Sequence, residues 1–405
     1  MTRLTDQAWL NDPATRAVVA ALEAAGGPGC SRFVGGCVRN ALMGRPIDDI
    51  DIATTLKPEQ TEKAIRVAGL KAVPTGIAHG TVTAVADRKP FEITTLRRDV
   101  TTDGRNATVA FTDDWAEDAA RRDFRLNALY ADAKGQVFDP TGQGVEDAAA
   151  GRIVFVGDPA TRIREDYLRI LRFFRFFAWY GRGEMDAAGL EACRELASGM
   201  TRLSAERVSK ELMKLLAADD PRPAVRAMAD TGVLAQVLPD ADDLALFEAV
   251  VTRMDDPVER LGALLPLDAN LLRRVTEGLR LPNATRDRLT DMAQAAADVD
   301  LNLTDHALRV AVYRHGRRAV RELLTRRSGE TPSRSGDGDR LRALAATWDA
   351  PVMPVGGKDI VGLGVPPGPE TGRILKAFEA GWIADDFPVE GHADRLAALI
   401  TPPRG

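Results

Sequence analysis

The chain has 405 residues, of which 45% are hydrophobic and 28% are charged, and its formal net charge is −5. This length exceeds what one compact core usually holds, so we expect two to four domains, and the composition is that of a globular protein. No run of 18 apolar residues could span a bilayer, and no basic-then-apolar leader pattern begins the chain. The cysteines, Cys30, Cys37 and Cys193, form no CxxC pair and no disulfide framework. These features predict a cytoplasmic protein without a membrane partner.

The first 150 residues predict a mixed α/β domain. "SRFVGG" is typical of a short buried strand that ends in a glycine turn, and "VRNALMG" has the apolar spacing of a helix that Gly44 stops. "DIDIATTL" alternates with period two, as a strand does. "GTVTAVADRKPFEITTLR" predicts two strands around a turn at Asp87–Pro90, and "GQVFDP" predicts an edge strand.

From about Ala148 onward, apolar residues recur at intervals of three and four, which predicts packed helices. The clearest of these patterns are "DYLRILRFFRFFAWY", "SAERVSKELMKLLAA", "PAVRAMADTGVLAQVL" and "HALRVAVYRHGRRAVRELLTRR". The segment "SGETPSRSGDGDR", Ser328 to Arg340, is polar and rich in Gly, Pro and Ser, and it predicts a loop or linker. We therefore predict the α+β class, with a mixed-sheet head followed by an all-helical remainder.

A group of carboxylates follows Pro46 in "PIDDIDIATTL". In a strand, Asp49 and Asp51 would share one face, roughly 6–7 Å apart, while Asp48 would point the other way. Like charges at this spacing repel each other unless a cation neutralises them, and Mg²⁺ commonly binds one or two carboxylates together with substrate phosphates. A solvated edge strand or an Asp-rich turn would give the same letters, so this pattern alone leaves both interpretations open.

Two neighbouring features favour a metal site. The pair Gly35–Gly36 lies between a predicted strand and the start of a helix that carries Arg39, and such a turn can hold a phosphate chain. Glu92 stands in the middle of the apolar strand "FEITTLR" without a local partner. Two aspartates on one strand with an acid on a neighbouring strand are the usual layout of a two-metal phosphoryl-transfer site. We therefore predict that Asp49, Asp51 and Glu92 are catalytic and that Mg²⁺ binds Asp49 and Asp51.

Four motifs within residues 30–180 resemble those of a known family. In chain order they are "FVGGCVRNALMGRPIDDIDIATT", "HGTVTAV…FEITTLR", "RRDFRLNALY" and "REDYLRILRFFRF". They are similar to the class II (bacterial) CCA tRNA nucleotidyltransferase and poly(A) polymerase family, of the polymerase-β nucleotidyltransferase superfamily. "LSAERVSKELMKLL" and "GKDIVGLGVPPGPETGRIL" extend a weaker match toward the C-terminus. The resemblance implies a nucleotidyltransferase head at residues 1–147, a helical neck with a base-recognition motif at 148–240, and an elongated helical body and tail for tRNA binding at 241–405.

The resemblance also implies roles for single residues. Gly35 and Gly36 would contact the nucleotide triphosphate, and Glu92 would lie near the 3′-hydroxyl of the primer. The ribose-reading motif would be Arg122, Asp123 and Asn127, since a carboxylate or an amide can bond a 2′-hydroxyl. Arg39 and Arg172 are further candidates for nucleotide binding.

In "REDYLRILR", Asp166 and Arg169 have the i, i+3 spacing that places two side chains on one face of a helix. In the family this pair acts as an amino-acid template for the incoming base. Cytosine and adenine both offer an amine donor beside a ring-nitrogen acceptor, which a carboxylate and a guanidinium can match. Uracil and guanine would leave both partners mismatched, at about 1–3 kcal/mol for each buried unpaired group. An ordinary ion pair on a helix surface has the same spacing.

Two residues depart from the family pattern, and one segment is open to two interpretations. Asn40 stands where the family usually has Asp, and Arg125 stands where it usually has Thr. The segment from Arg97 to Phe111 lacks apolar periodicity and resembles the family's flexible loop, although an exposed connection would have the same composition.

The function implied by the resemblance is template-independent addition of CCA to tRNA 3′ ends from CTP and ATP, with Mg²⁺ as the cofactor. The helical remainder would bind the acceptor arm and 3′ end of the tRNA through phosphate contacts. The alternative is a poly(A) polymerase, or an enzyme that adds only A or only CC, because the base-reading pair fits both nucleotides. A non-catalytic RNA-binding relative is disfavoured because the carboxylates are present.

Overall fold

The computed structural model of the chain describes residues 2–103, 106–241 and 244–400. The chain divides into two compact units, Met1–Ala241 and Asp242–Gly405. In the described ranges no helix is long and apolar enough to cross a membrane. The thiols of Cys30, Cys37 and Cys193 are free and buried.

A mixed sheet forms the centre of the first unit, as predicted. Its strands and those of a separate hairpin are β1 Ser31–Val34, β2 Asp51–Thr54, β3 Lys71–Gly76, β4 Thr81–Ala86, β5 Lys89–Thr95, β6 Arg97–Asp103, β7 Asn106–Phe111, β8 Tyr130–Ala131 and β9 Val137–Phe138. The large sheet has the order β3-β4-β5-β2-β1-β8-β9, in which β2 and β5 are parallel and the other neighbours are antiparallel. The predicted edge strand "GQVFDP" is confirmed, since β9 lies at one edge.

The predicted hairpin of β4 and β5 is confirmed, but its turn is shorter than the predicted Asp87–Pro90, because Lys89 and Pro90 belong to β5. Asp87 and Arg88 connect the two strands and have φ angles of 47° and 60°, as a two-residue turn between twisted strands requires. In β5, Phe91 and Ile93 are buried while Glu92 between them is exposed, so the apolar side chains hold the strand and leave the carboxylate facing solvent.

The segment from Arg97 to Phe111 differs from the predicted unstructured connection. Its strands β6 and β7 pair antiparallel and form a sheet of their own. The register shifts between Asp99 and Thr101, and such an irregularity removes the strict period of two that would have signalled a strand.

The helices of the first unit surround the sheet and continue beyond it. They are α1 Ala8–Asn11, α2 Pro13–Gly26, α3 Gly36–Leu42, α4 Pro58–Val67, α5 Trp115–Ala120, α6 Gly144–Ala150, α7 Pro159–Glu165, α8 Leu168–Tyr180, α9 Ala187–Leu196, α10 Ala205–Leu216, α11 Arg222–Asp230 and α12 Val233–Val237. The predicted helix "VRNALMG" is α3, and Gly44, at φ 65°, follows its end as expected. Phe173, Phe174, Phe176 and Phe177 of α8 are buried, where α8 packs against α10 and α11.

The second unit is helical throughout its described part. Its helices are α13 Leu244–Val250, α14 Pro257–Ala263, α15 Ala269–Gly278, α16 Asn283–Gln294, α17 Asp305–His315, α18 Arg317–Glu330, α19 Ser335–Thr347, α20 Gly357–Gly362, α21 Pro369–Ala384 and α22 His392–Ile400. Ile360, Ile374, Phe378 and Trp382 are central to its C-terminal core.

The predicted linker from Ser328 to Arg340 is wrong, because α18 continues to Glu330 and α19 begins at Ser335. The small residues of this segment let the two helices approach closely. Ser328 and Gly338 are both buried, and a Cβ atom added at Gly338 would lie 1.9 Å from the Ser328 Oγ. Small, polar composition here reflects tight helix packing and not a flexible connection.

Candidate active site

One cavity of about 540 Å³ in the first unit, hereafter the central cavity, brings together ten of the twelve predicted site residues. These are Gly35, Gly36, Arg39, Asp51, Arg122, Asp123, Asn127, Asp166, Arg169 and Arg172. The lining also includes Arg97, Arg121, Leu168, Phe176 and Arg207, which were not predicted as site residues. Asp49 and Glu92 are not part of this lining.

The three predicted catalytic carboxylates are neighbours. The parallel pairing of β2 with β5 sets Asp51 directly opposite Glu92. Burial, and then repulsion from Glu92 and Asp49, raise the pKa of Asp51 to about 6. The regular strand begins only at Asp51, so Asp48 and Asp49 precede it, and both are exposed. The strand alternation that predicted opposite directions for Asp48 and Asp49 therefore does not apply to them.

The carboxylates fit a cation that also binds the substrate. Among the described residues, no three His, Cys, Asp or Glu side chains converge closely enough to hold a metal ion by themselves. The mutual repulsion of Asp49, Asp51 and Glu92 is nevertheless the condition that a bound divalent cation would relieve. A cation that is bound by two carboxylates can complete its coordination shell with substrate phosphates, so it needs no third protein ligand.

A glycine turn brings the backbone to the edge of the cavity at Gly35. Its φ of 69° and ψ of −119° lie where glycine is favoured, and it directly precedes α3. A Cβ atom at this position would lie 3.8 Å from both Arg122 Nη1 and the Asn127 carbonyl oxygen. The turn therefore lies beside two of the predicted nucleotide-binding residues.

Arg39 crosses from α3 to the wall of the cavity. It is 7% exposed, and it donates hydrogen bonds to Asn127 Oδ1 at 2.6 Å and to Tyr180 Oη at 2.8 Å. Its guanidinium also lies 4.0 Å from the centre of the Tyr180 ring, and burial lowers its pKa. Asn127 in turn donates to Asp123 Oδ1 at 3.0 Å.

Asp123 is the buried anion of this wall. It accepts hydrogen bonds from the Phe124 backbone N–H at 2.8 Å, from Asn127, and from Arg172 Nε at 2.9 Å. Burial alone would raise the pKa of Asp123, but the Arg172 guanidinium and these hydrogen bonds hold it well below its usual range. Asp123 is therefore ionised at neutral pH.

Arg122, the next cation of the cavity lining, is held by hydrogen bonds to a carboxylate and a tyrosine hydroxyl. It donates to Asp118 Oδ2 from Nε at 3.1 Å and from Nη2 at 2.8 Å, and to Tyr130 Oη at 3.2 Å. Burial opposes its charge, but the attraction of Asp118 outweighs it and raises the pKa of Arg122. The Arg122 charge is thus fixed beside the glycine turn.

The predicted single helix through Asp166 and Arg169 is wrong. Helix α7 ends at Glu165, Asp166 is extended at φ −155° and ψ 106°, and α8 begins at Leu168. Asp166 Oδ1 accepts a hydrogen bond from the Leu168 N–H at 3.1 Å, and aspartate commonly interrupts helices through such local bonds. Both side chains still line the central cavity.

The members of this pair have separate partners. Asp166 Oδ2 accepts from Arg207 Nη2 at 2.7 Å, whereas Arg169 Nη1 donates to the Arg162 carbonyl oxygen at 2.6 Å and to Glu165. Arg207 lies on α10 and was not predicted as a site residue. Its only signal was a position within "LSAERVSKELMKLL", a segment of weaker resemblance that assigned no role to it.

Arg125, the residue in place of Thr, lies away from the central cavity. It donates to Gln143 Oε1 and lies 3.8 Å from Asp147 Oδ2, so its charge is directed toward α6. The replacement therefore adds no cation to the lining of the central cavity.

A mixed sheet that sets carboxylates of adjacent parallel strands beside a glycine turn and an arginine-rich cavity defines a nucleotidyltransferase. Two family models match: the Poly A polymerase head domain at residues 31–154, and the probable RNA and SrmB-binding site of polymerase A at residues 184–244. The chain belongs to the family of CCA tRNA nucleotidyltransferases, as its similarity to curated relatives demonstrates. Nucleotidyltransferases of this family use divalent metal ions.

The relatives are similar over most of their length. The mitochondrial CCA tRNA nucleotidyltransferase 1 of Homo sapiens is 35% identical over 382 residues, which cover 91% of this chain and 86% of the relative. The CCA-adding enzyme of Limosilactobacillus fermentum is 31% identical over 372 residues, which cover 88% and 90%. The crystal structure of the Bacillus stearothermophilus CCA-adding enzyme in complex with CTP has a TM-score of 0.77 and 26% identity, covering 96% of this chain and 97% of that chain.

Proposed function

We propose that this protein adds CCA to the 3′ ends of tRNA from CTP and ATP without a nucleic-acid template. The observation that carries the proposal is the central cavity, which combines the glycine turn and Asp51 with both members of the base-reading pair. Poly(A) addition would use the same site. The relatives that match this chain over most of their length, however, are a CCA tRNA nucleotidyltransferase and a CCA-adding enzyme.

The carboxylates and arginines divide the work of the transfer. Mg²⁺ on Asp49 and Asp51 would activate the attacking hydroxyl and stabilise the charge that develops on the phosphates. Glu92, opposite Asp51, faces the primer 3′-hydroxyl. Gly35 and Gly36 contact the triphosphate through their backbone.

The buried network orients the ribose and the phosphates. Arg39 and Arg122 place fixed positive charge on either side of the glycine turn. Asp123 and Asn127 hold each other by a hydrogen bond of 3.0 Å, and Arg172 holds Asp123. Rigid partners of this kind set the direction in which an amide or a carboxylate meets a 2′-hydroxyl.

Asp166 and Arg169 select the base. A carboxylate has about four lone-pair sites, of which the described contacts of Asp166 use one on each oxygen. Arg169 has five N–H donors, and the described contacts use only its Nη1 nitrogen. Both groups therefore keep hydrogen-bonding capacity for cytosine or adenine.

The remaining assignments follow from the same proposal. Residues 1–147 serve as the catalytic head, residues 148–240 as the neck, and residues 241–405 as the body and tail that bind the tRNA acceptor arm. The enzyme works in the cytoplasm.

The direct test uses tRNA that ends at the discriminator base, incubated with CTP alone, with ATP alone and with both nucleotides. Addition of two residues with CTP alone and of three with both supports the proposal, whereas a long adenosine tail would sink it. Asp51→Asn should abolish addition, while the matched variant Asp48→Asn, at an exposed neighbouring acid, should keep it. Activity of Asp51→Asn near the wild-type level would refute the metal assignment.

A further inference from the structure

Asn40 links the wall of the central cavity to the start of the carboxylate segment. Its Oδ1 atom accepts hydrogen bonds from Arg39 Nη2 at 2.8 Å and from Arg39 Nε at 3.1 Å. Its Nδ2 atom donates to the Pro46 carbonyl oxygen at 2.7 Å. Asn40 is not among the residues that line the cavity, so it acts behind Arg39.

The orientation of this amide follows from its neighbours. A guanidinium offers only donors, so the atom that faces Arg39 must be the oxygen. A carbonyl oxygen offers only lone pairs, so the atom that faces Pro46 must be the nitrogen. The reversed amide would lose all three hydrogen bonds and would place like groups against each other.

The Pro46 carbonyl lies at the point where the chain returns from α3. The Arg45 N–H donates to the Asn40 carbonyl oxygen at 2.9 Å, and Gly44 reverses the chain with a φ of 65°. Proline has no N–H, so the carbonyl oxygen is the only backbone group through which Pro46 can be held. The next residues, 47–50, form no strand and carry Asp49, and β2 starts at Asp51.

An aspartate at position 40, which is usual in the family, could not make the same connection. Its two oxygens could still accept from Arg39, but neither could donate to the Pro46 carbonyl. A carboxylate would also neutralise Arg39, whose hydrogen-bond partners in the described structure, Asn40, Asn127 and Tyr180, are all neutral. Asparagine thus supplies a tether and leaves the Arg39 charge available to a polyphosphate.

We propose that Asn40 is a positioning residue that fixes the Asp49–Asp51 segment relative to Arg39, so that metal and triphosphate are bound in one geometry. The proposal rests on the proposed nucleotidyl transfer, and it adds a residue that contacts neither substrate nor metal. The tether acts on the affinity for the metal–nucleotide pair and on turnover, not on the stability of the fold.

The test compares Asn40→Ala, Asn40→Asp and the wild-type chain in two measurements. The first is binding of Mn²⁺ in the presence of CTP and without tRNA, followed by the electron paramagnetic resonance signal of free Mn²⁺ and corrected by the same titration of CTP without protein. The second is steady-state CTP addition, with kcat and KM determined at several Mg²⁺ concentrations. The matched control is Gln60→Glu, an amide-to-acid change at an exposed residue of α4 that keeps its bond to the Lys57 N–H.

Loss of one hydrogen-bonded tether should raise the Mn²⁺ dissociation constant of Asn40→Ala about 3- to 10-fold and lower kcat by a similar factor. Asn40→Asp should in addition raise the KM for CTP, because the carboxylate pairs with Arg39. The melting temperature of Asn40→Asp, which keeps the acceptors for Arg39, should stay near that of the wild type, and Gln60→Glu should change none of these values.

An unchanged Mn²⁺ dissociation constant in Asn40→Ala would overturn the proposal, and so would an equal effect of Gln60→Glu. If Asn40→Ala does not fold, Asn40→Asp serves the same comparison, because it keeps the acceptors for Arg39. A change in the KM for CTP alone, with normal metal binding, would also overturn the tether. A wild-type chain that adds no nucleotide to tRNA would instead sink the proposed function, while the Mn²⁺ measurement would still test Asn40.

Discussion

Replacing Arg172 by methionine should reveal how strongly the cavity wall depends on its buried ion pair. Arg172 Nε donates to Asp123 Oδ2 at 2.9 Å, and Nη2 of the same guanidinium also contacts this oxygen. Asp123 is only 9% exposed and would keep the hydrogen bonds from the Phe124 N–H and Asn127. Methionine keeps an unbranched apolar stem in place of the arginine methylenes but leaves a buried carboxylate without its counter-ion.

The expected cost is about 2–4 kcal/mol of unfolding free energy at pH 7.5. Breaking a buried ion pair by removing one partner typically costs about 3–5 kcal/mol. The Arg172 side chain is 32% exposed, so in the variant water can reach part of the Asp123 carboxylate and the cost falls toward the lower end.

The cost should shrink in acid. The pKa of Asp123 in the folded chain is lowered, so the stabilisation from its ionised form is present above the ordinary value of 3.8 and is lost as the pH falls through the lower folded value. In Arg172→Met the unpaired carboxyl takes up its proton at a higher pH than in the wild type. The difference between the two proteins is therefore largest near pH 7.5 and narrows toward pH 4.5.

Urea unfolding at both pH values measures this difference. The double variant Asp123→Asn/Arg172→Met, which lacks both charges of this pair, should recover at least 1 kcal/mol relative to Arg172→Met at pH 7.5. A loss below about 1 kcal/mol at pH 7.5, or a loss that grows in acid, would refute the assignment of Asp123 as a buried anion held by Arg172.

Three further changes test other parts of the chain. Burial, and then repulsion from Glu322, raise the pKa of Glu259 to about 7, so its stabilising contribution is present below pH 4.5 and is lost as the pH rises through 7. Glu259→Gln should therefore have the same melting temperature as the wild type near pH 5 and a melting temperature several degrees higher at pH 8. The gain in unfolding free energy at pH 8 should be up to about 3 kcal/mol. An equal shift of the melting temperature at both pH values would contradict this. Gly338→Ala should destabilise the second unit by about 1–3 kcal/mol in urea unfolding, and adding Ser328→Ala should restore part of the loss; no recovery would count against the close contact. Tyr180→Phe removes the acceptor for Arg39 at 2.8 Å but keeps the ring, so it should raise the KM for CTP about 2- to 5-fold in steady-state addition, with unchanged KM as the opposing result.

The elements that the sequence predicted well are those in which one local rule decides the structure. Alternating burial in β5 left Glu92 as an isolated polar residue, and this identified a carboxylate on the strand before its partner strand was known. The layout of two-metal sites placed Glu92 on a strand next to the aspartates, and the parallel register of β2 and β5 sets Glu92 opposite Asp51. The helix after Gly35–Gly36 followed from the apolar spacing of its residues, and its stop followed from Gly44.

The predictions failed where a contact distant in sequence overrides the local rule. The composition of residues 328–340 favours a loop, but close packing of α18 on α19 requires small residues at Ser328 and Gly338. Helical spacing favoured one helix through Asp166, but the bond of its carboxylate to the Leu168 N–H starts a new helix. The contact of Asp166 with Arg207 joins residues 41 positions apart, and no pattern within one motif could have predicted it.

The central cavity also explains why net charge says little about what this chain binds. Four arginines that line the cavity are each paired with an acid: Arg122 with Asp118, Arg169 with Glu165, Arg172 with Asp123 and Arg207 with Asp166. These arginines are positioned by their acids, and a nucleotide that contacts them finds donors already oriented. Arg39 differs because its hydrogen-bond partners in the described structure are neutral, so no hydrogen-bonded carboxylate offsets its charge. The chain can therefore carry a net charge of −5 and still hold a local positive charge in the wall of the central cavity.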